Sequence, residues 1–527
     1  MTRRDVLRLG AAAACHPVAR ADDPAVLKAD DFRHYVDGFN GRFQEEVVHF
    51  IPDARAWAWM QANIPFFACP DRDFEELYYY RWWTFRKHIK KIPEGFLITE
   101  FLKPVSHAAD YNSLSCALGH HIAEGRWLRD SQFVEQDIHF WLRSGENGGL
   151  RKNLHQFSGW TAAALYDRWL ADGNGESLLS YLDPLLLDYA AWENERLTAS
   201  GLFWQRDVSD GMESSISGGR RVKNIRPSIN SYMYGNAKAI AAIARMAGRE
   251  EVAREYGNKA ARLKDLVERR LWNPRAKFFE TLEESGAFAA VRENVGYTPW
   301  YFDLPGDRAE YAEAWRQLMD PAGFYAPFGP TTAERRHPKF DVASLSDDCS
   351  WDGPSWPFAT TITLRALANL LHGYRQNAIR KQDYFATLQI YARSQHLKLD
   401  DGRVVPFVDE DLNPLTGEWL ARARKIAKGT YYGRGDHYNH SGFCDLVITG
   451  LAGLRPRAGD VVEIDPLLSS GAWDWFCLDR IPYHGRALTI LWDRQGAKFG
   501  KGKGLRLLAE GKEIGHAPDL GRLAATM

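Results

Sequence analysis

The chain has 527 residues, with 67 Lys+Arg against 68 Asp+Glu for a formal net charge of -1, so no long-range field steers it to nucleic acid or an anionic membrane. At 45% hydrophobic and 26% charged residues it is a folding chain; disordered and fibrous classes are excluded, and the length leaves room for about three domains of ordinary size. Six cysteines stand singly at positions 15, 69, 116, 349, 444 and 477 with no CxxC pair, which excludes zinc-ribbon and thioredoxin readings and predicts buried free thiols.

At the N-terminus, Arg3 and Arg4 precede a small-residue stretch from Leu9 to Cys15, and Ala19-Arg20-Ala21 offers an A-x-A cleavage site. Residues 1–21 resemble a twin-arginine export signal, so the expected location is periplasmic or secreted. No other stretch approaches the roughly 20 apolar residues of a membrane span. Residues 22–64 form an N-terminal extension.

From Phe74 the apolar spacing turns helical through Leu77, Tyr80, Trp83 and Phe85, and again from Tyr111 to Ala123. Further helices are predicted at Ser131–Leu142, His155–Leu170, Leu178–Leu197, Asn230–Ala247, Glu250–Leu271, Ala309–Met319, Trp356–His372, Lys381–Ser394 and His440–Leu454, with breaks such as Gly173-Asn174-Gly175 and Asn273-Pro274. Their number and lengths predict paired antiparallel helices over 65–460, joined by long loops rich in Trp, Asp and Gly where functional residues tend to sit. From about Asp465 to the end the pattern changes: Ala487–Trp492 and Leu505–Leu508 are short strand-like runs among glycines, which predicts a small β domain over 465–527.

Three segments concentrate chemistry. In Trp204-Gln205-Arg206-Asp207-Val208-Ser209-Asp210-Gly211-Met212-Glu213, three carboxylates fall within seven positions of one loop, and such crowding raises a carboxyl pKa toward what a general acid needs; a solvated acidic loop or a calcium site is the alternative. Asp409-Glu410-Asp411-Leu412-Asn413-Pro414-Leu415-Thr416-Gly417-Glu418 surrounds a second carboxylate with turn signals. It does not fit an EF-hand, because the Gly and distal Glu are misplaced. Ser350-Trp351-Asp352-Gly353-Pro354-Ser355-Trp356 places two indoles and a carboxylate at a helix start, suited either to stacking on sugar rings or to core packing. His437 and His440 with Asp436 lack a third ligand at metal spacing, so no metal is expected. Asp73, Tyr79, Trp160 and Trp204 complete the candidate polar and aromatic wall.

These segments, in this order, resemble the inverting α-glycosidases of glycoside hydrolase family 63 and related bacterial mannosylglycerate-hydrolase-like enzymes. Trp351-Asp352-Gly353-Pro354-Ser355-Trp356 is similar to their Trp-x-Gly-Pro-x-Trp motif, Asp210-Gly211-Met212-Glu213-Ser214-Ser215 to their Gly-Met-Asp-Asn-Ser acid loop, and Glu410 to Glu418 to their Glu-x-x-Asn-Pro-x-Thr-Gly-Glu base loop. Arg292–Pro299 resembles a linker between barrel helices there. The resemblance spans roughly Pro65 to Pro456 and implies an all-α (α/α)6 barrel, a six-hairpin glycosidase, with Glu213 as general acid and Glu410 as general base. Asp210, Trp351, Asp352, Trp356, His437 and Tyr438 would then contact an α-glucoside, an α-mannoside or a related oligosaccharide end. The family's acid is usually Asp, so Asp210 or Asp207 is the alternative to Glu213. No cofactor is required. Two other readings stand beside this one: a polysaccharide lyase using Tyr438, His437 and Arg434, and a non-catalytic carbohydrate-binding protein.

Overall fold

The computed structural model describes residues 25–342 and 349–527; the twin-arginine segment lies outside the described residues. Six helical elements form an inner ring: Leu118–Gly125, Thr161–Asp172, Pro227–Met246, Thr298–Tyr301, Pro357–Gly373, and Cys444–Leu446 with its π-helical continuation Val447–Leu451. Each touches the next, and the last closes on the first. Around them stand Arg72–His88, Gln132–Arg143, Leu182–Arg196, Glu250–Arg270, Ala309–Ala312 with Glu313–Gln317, and Lys381–Ser394. This is the (α/α)6 barrel.

Local sequence explains the helix ends. Proline occupies the first turn of Pro227–Met246, Thr298–Tyr301 and Pro357–Gly373, where its fixed φ suits a helix start and its missing N–H costs nothing. Glu250–Arg270 begins with two glutamates and ends with two arginines, opposing the helix dipole at both ends. Arg72–His88 is buried on every side from Leu77 to His88, Tyr78, Tyr79, Tyr80, Trp82 and Trp83 included. An outer helix of that kind needs a cover. The N-terminal extension supplies it through Arg33–Arg42 and Ala56–Asn63, both of which pack on this helix.

Several elements differ from the sequence expectation: the helices expected from Tyr111 and from His155 start at Leu118 and Thr161, since Tyr111 has a positive φ of 62° and Leu154–Gln156 is only a 3-10 turn. Asn294–Tyr301 is an inner-ring element, a 3-10 turn running into a four-residue helix, whereas the resemblance made it a linker; its few residues carry no helical period. The helix expected from His440 starts at Cys444, because Glu124 accepts the N–H groups of Phe443, Cys444 and Asp445 and fixes the helix start there.

The C-terminal region holds a five-stranded antiparallel sheet in the order Phe66–Ala68, Trp475–Tyr483, Arg486–Asp493, Gly504–Ala509, Lys512–Ala517. The predicted runs at 487–492 and 505–508 lie inside its central strands. A second sheet joins Leu454–Arg455, Val461–Ile464 and Leu523–Thr526. The Phe66–Ala68 strand, just before the first barrel helix, pairs with 477–479, and Asp479 accepts from the N–H groups of Val26 and Leu27, so the sheet is stitched to both the barrel and the extension. The five described cysteines are free. Among the described residues no helix is long and apolar enough to cross a membrane.

Candidate active site

The loops leading into the inner helices enclose a cavity of about 480 Å³. The acid loop builds one wall. Strands Trp204–Gln205 and Asn224–Ile225 close it, and Gly211 (φ 74°) turns it at a point where a Cβ would lie 2.9 Å from the Cys116 sulfur. Arg226 is fully buried and donates to both Asp207 and Asp210, the latter at 2.8 Å. Ser228 also donates to Asp210, and the Ser215 hydroxyl to Asp207 at 2.7 Å. Both aspartates are thus held by Arg226, although Asp210 Oδ1 has no partner among the described residues, and neither aspartate is in the cavity lining. The backbone flanking Glu213 is pinned, Met212 N–H to the Asp207 carbonyl and Trp351 N–H to the Ser214 carbonyl, both at 2.9 Å. Glu213 is the carboxylate that this loop presents to the cavity.

The base loop contributes Glu410 to the same lining. Leu412 and Ser355 exchange backbone hydrogen bonds of 2.9 and 3.0 Å, which locks the loop to the tryptophan segment. Arg424 holds Asp411 with two bonds of 2.7 and 2.8 Å, while burial pushes the Asp411 carboxyl up to about 6. Asp409 accepts the Glu410 N–H at 2.7 Å, and burial with the neighbouring Glu410 raises its carboxyl to about 7. Glu410 lines the cavity; Arg434 donates to both its oxygens at 2.5 and 2.6 Å, and Lys425 lies at 3.4 Å. Gly435 is required beside it, since a Cβ there would fall 1.8 Å from the Asp409 carboxylate.

Trp351 and Trp356 stack on one another with centroids 4.7 Å apart and planes 13° from parallel. Both line the cavity with Phe101, Phe157, Phe358 and Tyr438. Trp356 donates its indole N–H to the Ser350 carbonyl at 2.7 Å.

A family model described as "Mannosylglycerate hydrolase MGH1-like glycoside hydrolase domain" matches residues 110–441, more than half of the chain and both carboxylate loops. The chain belongs to this glycoside hydrolase family. A second model, the C-terminal domain of glycosyl hydrolase family 65, matches residues 454–516, the sheet region. Among solved structures, one named "Sialidase" is 48% identical with a TM-score of 0.91 and is matched over 96% of this chain; this chain spans 46% of its length. The family 63 mannosylglycerate hydrolase of Thermus thermophilus in complex with glucose is 13% identical, with a TM-score of 0.51 over 71% of this chain and 99% of that one. The family 78 rhamnosidase of Bacillus sp. GL1 is 12% identical, with a TM-score of 0.55 over 84% of this chain and 41% of that one. The last two share the fold.

Within this family frame, the cavity gathers Glu213, Glu410, Trp351, Trp356 and Tyr438. Other candidates lie elsewhere. Asp73 is exposed in the first turn of Arg72–His88. Tyr79 is buried behind it, its hydroxyl donating to the Phe67 carbonyl. Trp160 packs in the barrel core against Tyr232, its indole occupying the space that a Cβ on Gly119 would take. Trp204 sits beneath Arg196, Arg206 and Lys223, whose charges lie 4.6 to 5.9 Å from its ring. Asp352 meets the Asp341 segment through its backbone and is not part of the lining. His437, at φ 64°, is not in the lining as Tyr438 is; its Nδ1 meets the Tyr80 hydroxyl at 2.7 Å and its carbonyl accepts from His88. That placement also dissolves the lyase trio, because Arg434 is bound to Glu410 and Tyr438 to Glu100 while His437 faces the core. Sequence reasoning missed Glu100, His107, Cys116 and Phe358 in the lining, and weighed His440 only as half of a metal pair.

Proposed function

We propose that the protein is an inverting glycoside hydrolase that cleaves an α-linked glucoside, mannoside or related oligosaccharide end, with Glu213 as general acid and Glu410 as general base. The observation that carries this reading is the convergence of Glu213 and Glu410, from two separately anchored loops, on one cavity beside a stacked indole pair. An aromatic wall suits the apolar face of a sugar ring, and two carboxyl groups with a water between them suffice for single displacement. Arg434 and Lys425 against Glu410 suit a group that begins the reaction as a carboxylate. The Thermus thermophilus family 63 hydrolase, which shares the fold, is a complex with glucose, and a sugar ligand for this fold is in keeping with the reading. Proton NMR of the anomeric signals during incubation with gluco-, manno- and galacto-disaccharides of both linkages tests the reading: the β-anomer is expected first from an α-linked sugar, with turnover lost in both Glu213→Gln and Glu410→Gln. Near-full activity of both variants overturns the assignment. We also propose export through the Arg3-Arg4 segment; processing before Asp22 in a periplasmic fraction, blocked by replacing both arginines with lysine, checks it.

A further inference from the structure

Glu100 follows the Gly95–Ile98 strand and reaches the cavity from a wall that carries neither the acid nor the base loop. It is 4% exposed. Its Oε1 accepts from the Tyr438 hydroxyl, and its Oε2 is buried with no hydrogen-bond partner among the described residues. The same condition recurs around it. His440, 2% exposed, stacks under Tyr438 with centroids 3.8 Å apart, and both of its ring nitrogens lack partners there, as does the indole nitrogen of Trp351. A buried polar atom left unpaired is costly, because it gives up its hydrogen bonds to water and gains none. Glu100, His440 and Trp351 all line the same cavity, and a ligand that brings hydroxyl groups matches such a set of unpaired atoms.

We propose that Glu100 is a positioning residue for the sugar, acting as a neutral carboxylic acid whose Oε1 accepts from the Tyr438 hydroxyl and whose Oε2–H donates to a sugar hydroxyl. This rests on the reading of the cavity as a glycosidase site and adds a third carboxyl with a role of its own. The charge arrangement favours the neutral form. Burial raises Glu100 to about 7, reinforced by Glu410 and Glu213 across the cavity; the Tyr438 hydroxyl and the Ala117 backbone amide pull the other way. Two arginines line the cavity: Arg434 is bound to Glu410, and Arg220, on the acid-loop side, is engaged as well. His440 is held well below its ordinary value by burial, as is His107 to a lesser degree with Arg434 beside it. Burial raises the Cys116 and Cys349 thiols and the Tyr438 phenol. Among the described residues, then, no neighbour supplies a free positive charge that would make Oε2 an anion.

The test uses the full chain carrying Glu410→Gln, so that binding is read without turnover, and D-glucose and D-mannose as probes followed by tryptophan fluorescence. Expected is a Kd that weakens about tenfold between pH 6 and pH 9, a weakening that is absent when Glu100→Gln is added, because an amide donates at both values. Glu100→Ala should weaken binding about tenfold at pH 6. Infrared difference spectra of wild type against Glu100→Gln should show the carbonyl stretch of a protonated carboxyl at pH 6. A pH-independent Kd in the Glu410→Gln protein, or absence of that infrared band, overturns the proposal. So does a Glu100→Gln enzyme as inactive as Glu213→Gln, which would make Glu100 the acid. Failure of the glycosidase reading shows separately, as turnover surviving in Glu410→Gln itself.

Discussion

The barrel has a cavity toward each end, and the two treat buried charge in opposite ways. Away from the loops, a space of about 290 Å³ is lined by the C-terminal halves of three inner helices, including Asp167, Lys238, Arg365 and His372. Arg365 bridges Asp167 and Asp445, each at 3.2 Å, and Asp445 also takes Arg126 at 2.6 Å and the Trp127 indole at 2.8 Å. Asp445 and Glu100 are equally hidden, at 5% and 4% exposure. Burial raises both; in Asp445 the guanidinium groups of Arg126 and Arg365 overcome it and hold the carboxyl below its ordinary value, whereas Glu100 faces two further carboxylates and is raised to about 7. Burial alone therefore does not set the charge state. The count of opposite charges does, and at the loop end Glu100 is a carboxyl left without one among the described residues, while Glu410, Asp411, Asp207 and Asp210 each have an arginine.

The largest expected effects separate the two ends by kind. On its proposed role as general base, Glu410→Gln should lower turnover by about 10²–10⁴, with a smaller stability loss than Asp445→Asn because Arg434 and Lys425 beside it keep some solvent contact. Asp445→Asn should do the reverse: it strips a buried charge from two guanidinium groups and should cost about 3–5 kcal/mol, while turnover per folded molecule holds. Equal stability losses in both variants would break the contrast. A milder test uses pH. Because its folded value is raised, the stabilisation Glu100 gives is complete below about 4.5 and is lost as pH rises toward about 7. Glu100→Gln should therefore gain on wild type over that window, by an amount on the order of 3 kcal/mol. Asp445, with a depressed value, contributes at neutral pH and loses its contribution as pH falls below the ordinary carboxylate range. Urea unfolding of wild type and Glu100→Gln at pH 5 and pH 8 reads the first slope, and the same pair with Asp445→Asn at pH 3 and pH 6 reads the second.

What can be read from sequence follows the same division. Glu213, Glu410 and the indole pair sit in loops whose turn residues and short-range spacing announce a rigid carboxylate or aromatic platform, so they are legible. The long helices with a clear apolar stripe, such as Glu250–Arg270, are legible too. Glu100 is not: it is a single acid in an apolar run, and its partner Tyr438 lies 338 residues away. His437 and His440 read as a pair because they are three apart, a spacing that means one face only on a helix; here His437 has a positive φ and packs among Phe43, Tyr80 and Trp83, while His440 packs against Trp356 and Phe358. Tyr79, Trp160 and Trp204 belong to residue types that serve a core as well as a sugar site, and nothing local distinguishes the uses. Thr298–Tyr301 escapes because four residues show no period.

The smallest expected effect concerns the rim near the second cavity, where Arg455, Arg457 and Arg522 share the one carboxylate of Glu463 at 2.8 to 3.2 Å. Three cations on one anion leave a positive surplus, and burial together with Arg457 pushes the Arg455 guanidinium below its usual value. Arg522 is the outermost of the three, with its side chain 67% exposed; surface pairs of this sort contribute about 0–1 kcal/mol. Removing it in Arg522→Gln deletes one weak attraction to Glu463 and one repulsion with its two neighbours. The net change should lie within about 0.5 kcal/mol, and added salt should stabilise the wild type slightly more than the variant, since screening relieves the surplus only where it exists. Thermal midpoints in low and high NaCl measure this. A large loss from Arg522→Gln would mean that the surplus at this end is structural, and that the tight pairing around Arg365 does not extend to the rim.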